Sequence, residues 1–222
     1  MIIPIGDENV QGGAKPIFSY AFIIINILIF IFQVSLGAEG YEAFLQNFGA
    51  IPIEIFNYEN LHTLITSIFL HGDILHLAGN MLFLWLFADN VEATVGNFHF
   101  VFFYFLGGLV ASMSQILMDT TSTLSTVGAS GAISAVMGAY IVCFPKSKIK
   151  MMVLIFFKSF YIPALLFLGF WFGQQIFSSF SNNADPELGG VAWWAHIGGF
   201  VFGVFYAFIF FKKNPKAKYN MV

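Results

Sequence analysis

Residues 127–138 read Val127-Gly128-Ala129-Ser130-Gly131-Ala132-Ile133-Ser134-Ala135-Val136-Met137-Gly138. A serine between glycines opens an otherwise apolar helical stretch. Farther along, Trp193-Trp194-Ala195-His196-Ile197-Gly198-Gly199 gives a histidine a similar place in another apolar stretch. Uncompensated polar groups are costly in hydrocarbon, so each is a functional candidate. A hydroxyl and an imidazole together offer a nucleophile and its base.

Hydrocarbon is the right reference solvent. The chain has 222 residues, of which 58% are hydrophobic and 9% charged, with mean hydropathy +0.80. A soluble domain carries roughly 25% charged residues, so membrane-spanning helices account for this composition and its 30 phenylalanines better than a soluble core. Cys143, alone of its kind, excludes an internal disulfide framework and reads as a packing residue. Residues 1–16 are polar and mixed, and the apolar run after them is too long for a cleavable signal, so the first helix is expected to be retained.

The expected fold is an all-α membrane protein, a bundle of six transmembrane helices at about 17–36, 74–92, 98–117, 130–145, 151–177 and 192–211. Residues 1–15 and 213–222 read as short cytoplasmic tails around one membrane domain, 16–212. Segment 37–73 is too long for a turn and too apolar for a solvated loop, which fits a first outer loop embedded in the interface. All nine basic residues are lysines. With six spans, Lys15, Lys146, Lys148, Lys150, Lys158, Lys212, Lys213, Lys216 and Lys218 share one side, which the positive-inside rule makes cytoplasmic, with both termini inside. Lys158, early in the fifth span, would snorkel to that face. Trp193 and Trp194 suit an aromatic belt at the outer face. Loop 178–191, with Gly189 and Gly190, could cap a cavity.

Helical rise places the polar residues in depth. Ser130 precedes Lys146, His196 precedes Lys212, and His76 precedes Glu92 by the same interval, ~24 Å along a helix. Three polar residues on three helices therefore share one level, with Asn80 one turn below His76. The fourth span is short, so residues 119–129 must descend as non-helical chain, which is tolerated where it lines a water-filled cavity. Small-residue stripes, Ser130/Ser134/Gly138 and Gly199/Gly203, permit close approach of the two helices. Asp73 suits the N-cap of the second span.

The segments Gly128-Ala129-Ser130-Gly131-Ala132, His71-Gly72-Asp73-Ile74-Leu75-His76-Leu77-Ala78-Gly79-Asn80 and Ala195-His196-x-x-Gly199-x-x-x-Gly203 together resemble the rhomboid intramembrane serine proteases, in the minimal six-span bacterial form. The resemblance covers nearly the whole chain. It implies a catalytic Ser130–His196 dyad, with His76, Asn80 and Gly128 around the oxyanion. It also implies structural roles near the site for His71, Glu92, Gly199 and Gly203. No cofactor or metal is implied; the partners are transmembrane protein substrates and the lipid bilayer, not nucleic acid, and the expected location is a bacterial inner membrane. Two positions depart from the family pattern. His62-Thr63 stands where many members carry Trp-Arg in the embedded loop, and Ser134 stands where an aromatic often stacks on the base.

Two other readings compete. A non-proteolytic member of the same fold would bind or traffic membrane proteins, and loss of Ser130 or His196 would have favoured it. A small transporter would show paired broken helices, whereas a single short span is present.

Overall fold

The computed structural model describes residues 2–8, 10, 12–181 and 191–211. In chain order the elements are β1 (Ile2–Gly6), α1 (Ile17–Ser35), α2 (Gly37–Phe48), α3 (Pro52–Phe56) and α4 (Thr63–Thr66), the last running into a 3-10 turn, Ser67–Phe69. There follow α5 (Ile74–Val95), α6 (Asn97–Met118), α7 (Ser130–Cys143), β2 (Lys148–Val153), β3 (Lys158–Pro163), α8 (Ala164–Phe180) and α9 (Trp193–Tyr206), which ends in a π-type turn through Phe211.

Among the described residues four helices are long and apolar enough to cross a membrane: α1, α5, α6 and α9 with its final turn, of mean hydropathy 1.3 to 2.4. Of the six expected spans the fourth reads as short in the sequence; both α7 and α8 are shorter apolar helices. Their 14 and 17 residues rise ~21 and ~26 Å, less than a ~30 Å hydrocarbon layer.

The centre of the bundle is α7, in which every residue from Gly131 to Tyr140 is buried. A helix apolar on all sides is a core helix, and α5, α6 and α9 pack around this one. Its closest partner is α9. A Cβ on Gly199 would overlap the Gly131 carbonyl, and one on Gly203 the Ala135 carbonyl. The two glycines thus let the backbones touch. On α1 the buried residues Ser19, Phe22, Asn26, Phe30 and Gln33 form one stripe at helical spacing. The Glu92 carboxylate of α5 accepts hydrogen bonds from Phe18 N (2.9 Å), Ser19 N (2.7 Å) and Ser19 Oγ (2.6 Å), satisfying donors that the first turn of α1 leaves without helical partners.

Four sequence expectations need correction. The fifth span does not begin at residue 151, because Lys148–Val153 and Lys158–Pro163 pair as an antiparallel hairpin and the helix starts only at Ala164. Lys158 therefore opens a strand and does not snorkel from a helix. Pro163 explains the switch: it carries no amide proton for a ladder or a helix interior, but it is tolerated where a helix begins. Nor is the fold all-α or segment 1–15 a simple tail. Strand β1 adds to the hairpin in a three-stranded antiparallel sheet of order β1-β2-β3, pairing Ile2 with Val153 and Ile3 with Met152.

Past β1 the chain is fastened to the bundle. Asp7 Oδ2 accepts from Tyr140 OH (2.5 Å) and Asn90 Nδ2 (2.7 Å), Val10 N donates to Asn90 Oδ1 (2.7 Å), and Ala14 N donates to Ala93 O (3.0 Å). The expected tail at 213–222, the lysines from Lys212 on, and Gly189 and Gly190 lie outside the described residues.

Candidate active site

Asp73 caps α5 as expected, its carboxylate accepting from Leu75 N (2.7 Å) and His76 N (2.8 Å). That cap fixes the first turn of the helix, on which His76 sits one turn before Asn80. Helix α6 ends before Asp119, whose Oδ1 accepts from Thr121 N (3.1 Å), and residues 119–129 then run as irregular chain to the start of α7. This stretch is held by the embedded loop: Thr126 bridges to Ala50, Ile53 N donates to Ser122 O (3.1 Å), and Ser125 Oγ donates to Leu45 O (2.8 Å).

Gly128, the last turn before the helix, has φ +122°, a region that L side chains rarely adopt. An ideal Cβ there would stand 2.7 Å from His76 Nε2, and the Gly128 amide donates to Ser67 O at 2.9 Å. Glycine is thus required twice, for the turn and for the approach of the imidazole. Ser130 follows at the first position of α7.

From α9, His196 points its Nε2 at Ser130 Oγ at 2.8 Å. The two residues, His76 and Asn80 line one cavity of about 1080 Å³, together with Gly72, Val127, Ser134, Met137 and Trp171. Asn80 Nδ2 lies 2.9 Å from His71 Nε2, and the His71 and His76 rings meet edge to face at 5.2 Å. His71 is fully buried, and burial pushes its imidazole down to about 3. It is therefore uncharged at neutral pH and available to accept from the Asn80 amide. The structure thus gathers Ser130, His196, His76, Asn80, Gly128 and His71 at one place, with Gly199 and Gly203 in the seam below. Glu92 stands apart, at the far end of α5, against α1.

Both departures from the family pattern have local answers. The loop residue His62 is exposed and Thr63 donates only to Asn60 O (2.8 Å). Elsewhere, Gln33 and Tyr41 fasten the chain just before α5: Tyr41 OH (2.7 Å) and Gln33 Nε2 (3.2 Å) both donate to His71 O. Ser134 turns to its own helix, donating to Ser130 O at 2.6 Å. The aromatic company of His196 comes instead from Trp171 on α8, with ring centroids 5.8 Å apart, and from Trp193, edge to face at 6.1 Å.

Sequence reasoning missed Gln175. Its Oε1 lies 2.8 Å from His196 Nδ1, and its Nε2 donates to Trp171 O at 3.1 Å. A signal was present, since a glutamine in an apolar helix is itself an uncompensated polar group.

Comparison with known proteins points the same way. The family model for the Rhomboid domain matches residues 58–213. The chain is 31% identical over 198 residues to "Rhomboid protease GluP" of Bacillus subtilis, covering 89% of this chain and 35% of that protein. It is 29% identical over 174 residues to "RHOMBOID-like protein 12, mitochondrial" of Arabidopsis thaliana, covering 71% and 49%. It is 29% identical over 162 residues to "Rhomboid protein 1, mitochondrial" of Saccharomyces cerevisiae, covering 70% and 44%. The chain thus spans between about a third and a half of the length of these relatives. With its membrane-length helices and a family match over most of its length, the chain is an integral membrane protein that belongs to the rhomboid family.

Proposed function

We propose that the chain is an intramembrane serine endopeptidase that hydrolyses peptide bonds in or near transmembrane segments of other membrane proteins. The observation that carries this reading is the 2.8 Å separation of Ser130 Oγ and His196 Nε2, within reach for proton transfer, beside a cavity large enough for water and a peptide. Here α7 and α8 act as the fourth and fifth of six spans, and the lysine-bearing ends face the cytoplasm of a bacterial cell.

In the forward step Ser130 Oγ forms a bond to the scissile carbonyl carbon while its proton passes to His196 Nε2. The carbonyl oxygen becomes an oxyanion, met by the Ser130 backbone N–H, which no helical carbonyl claims at that position, and by the His76 ring and the Asn80 amide. One such donor is worth ~2.7–4 kcal/mol in the transition state. Collapse breaks the C–N bond, and His196 returns its proton to the leaving amine. Water then attacks the ester and gives a proton to His196. The acid product departs as that proton returns to Ser130 Oγ. Every proton is accounted for within the chain, substrate and water, and no metal or cofactor enters.

A peptide bond inside a helix is shielded by its own hydrogen bonds, so the substrate must unwind locally in the cavity. The test is cleavage of a transmembrane substrate by purified protein in liposomes. Ser130→Ala is expected to abolish cleavage at unchanged expression and thermal stability; equal cutting by wild type and Ser130→Ala would sink the assignment. The same comparison separates a protease from a family member that only binds membrane proteins.

A further inference from the structure

We propose that Gln175 is the positioning residue of this site, a third side chain that holds His196 in the one tautomer able to accept the Ser130 proton. The proposal rests on the protease reading above and adds a residue to it. It depends on which way the Gln175 amide faces, and its surroundings decide that. One end lies 3.1 Å from the Trp171 carbonyl, which can only accept, so that end must be the NH₂ group. The opposite orientation would set two carbonyl oxygens against each other. The end facing His196 Nδ1 at 2.8 Å is therefore Oε1, which accepts and cannot donate.

Nδ1 then carries the ring proton. In the neutral imidazole this leaves the lone pair on Nε2, the nitrogen that faces Ser130 Oγ. The other tautomer would place a proton between Nε2 and the hydroxyl and a lone pair against the Gln175 oxygen. As the base becomes imidazolium during attack, the Gln175 oxygen continues to accept from Nδ1 and favours that charged state. Gln175 is buried (3% exposed), as is His196 (9%), and the Trp171 and Trp193 rings flank the imidazole, so water has little access to replace the amide. The nucleophile, the positioning residue and the base thus come from the successive helices α7, α8 and α9. Gln175 lies one helical turn after Trp171, so a single face of α8 supplies both the flanking ring and the acceptor.

The experiment uses the full chain in liposomes and compares wild type, Gln175→Met, Gln175→Glu and Ser130→Ala. Methionine keeps the length and removes the oxygen; glutamate keeps the oxygen. Gln175→Met is expected to lower kcat about 10- to 100-fold with KM within a factor of two, and Gln175→Glu to restore most of the loss. A second readout needs no catalysis. Nitrogen-15 NMR of histidine-labelled protein, with His196 assigned by difference against His196→Asn, is expected to show a protonated Nδ1 and a bare Nε2 in wild type and a mixture in Gln175→Met. Wild-type kcat in folded Gln175→Met, or a wild-type His196 protonated at Nε2, overturns the proposal while leaving the protease reading intact. If Gln175→Met does not fold, the wild-type spectrum and the activity of Gln175→Glu decide: a bare Nδ1, or a dead but folded glutamate variant, overturns it. A wild type no more active than Ser130→Ala removes the protease reading itself, and the catalytic role of Gln175 with it.

Discussion

Replacing Gly128 by alanine probes the geometry of the proposed oxyanion region with the smallest possible change. The added methyl has two effects that can be separated. The first is backbone strain, because φ +122° costs a non-glycine residue ~1–3 kcal/mol. That cost falls on stability and is expected to lower the melting temperature by several degrees. The second is a collision. The new Cβ would lie 2.7 Å from His76 Nε2 and 2.8 Å from Cε1, whereas ordinary contact begins at 3.4 Å. The ring must therefore retreat by the difference, about 0.7 Å, or the loop must rise. A donor to an oxyanion works within a narrow window near 3 Å, so most of its ~2.7–4 kcal/mol is forfeited and kcat falls about 10²- to 10³-fold. The assay is saturation kinetics on a fluorogenic transmembrane substrate in liposomes, with melting curves on the same preparations. Gly169→Ala on α8, where a methyl meets nothing within 4 Å, controls for loss of a glycine as such. A folded Gly128→Ala variant with wild-type kcat would refute the reasoning, since the position of His76 would then be irrelevant to the proposed chemistry.

Glu92→Leu is expected to destabilise the bundle by about 2–6 kcal/mol, because it strands the half-buried amide of Phe18 and the buried amide and hydroxyl of Ser19. Glu92→Gln, keeping one acceptor oxygen, should fall in between, with the Ser130–His196 contact untouched; chemical denaturation monitored by tryptophan fluorescence checks both. Burial raises the Asp7 carboxyl to about 7 from an ordinary 3.8, so the folded protein holds that proton more tightly than the unfolded chain. Its contribution to stability is complete below about pH 4 and is lost as pH rises through about 7. Melting temperature should therefore decline across that window in wild type and more shallowly in Asp7→Asn. Identical profiles would remove Asp7 as the cause.

Much of the site was readable because depth in a membrane is a one-dimensional coordinate. Ser130, His196 and His76 each stand sixteen positions from a charged residue in the sequence, and helical rise over that interval predicts one level for all three. The small residues at Gly199 and Gly203 then indicate which two helices touch. The hairpin was not readable by the same means. Hydropathy averages over direction, and Met151-Met152-Val153 with Ile155-Phe156-Phe157 scores as a span whether it rises as a helix or doubles back as strands. Lys158 and Pro163 were the local objections to a helix, and snorkelling explained the lysine too readily. Gln175 was hidden for another reason: its meaning depends on the rotation of α8 about its own axis, which an almost uniformly apolar sequence leaves undetermined. The Asp7 network belongs to the same class, since it joins residues more than a hundred positions apart and carries no periodic signal.

The pairing of Ile2 with Val153 also constrains the order of events during synthesis. Strand β1 leaves the ribosome long before its partner exists, and α1, α5, α6 and α7 must all be made while its ladder groups remain open to water or chaperone. Contacts of such long sequence separation form late and slowly. The sheet therefore acts as a latch that closes after the nascent helices have been laid down: a ribosome stalled before residue 148 would carry a chain in which Asp7, Val10 and Ala14 already have their partners on α5 and α7 while the ladder of β1 is still unmade.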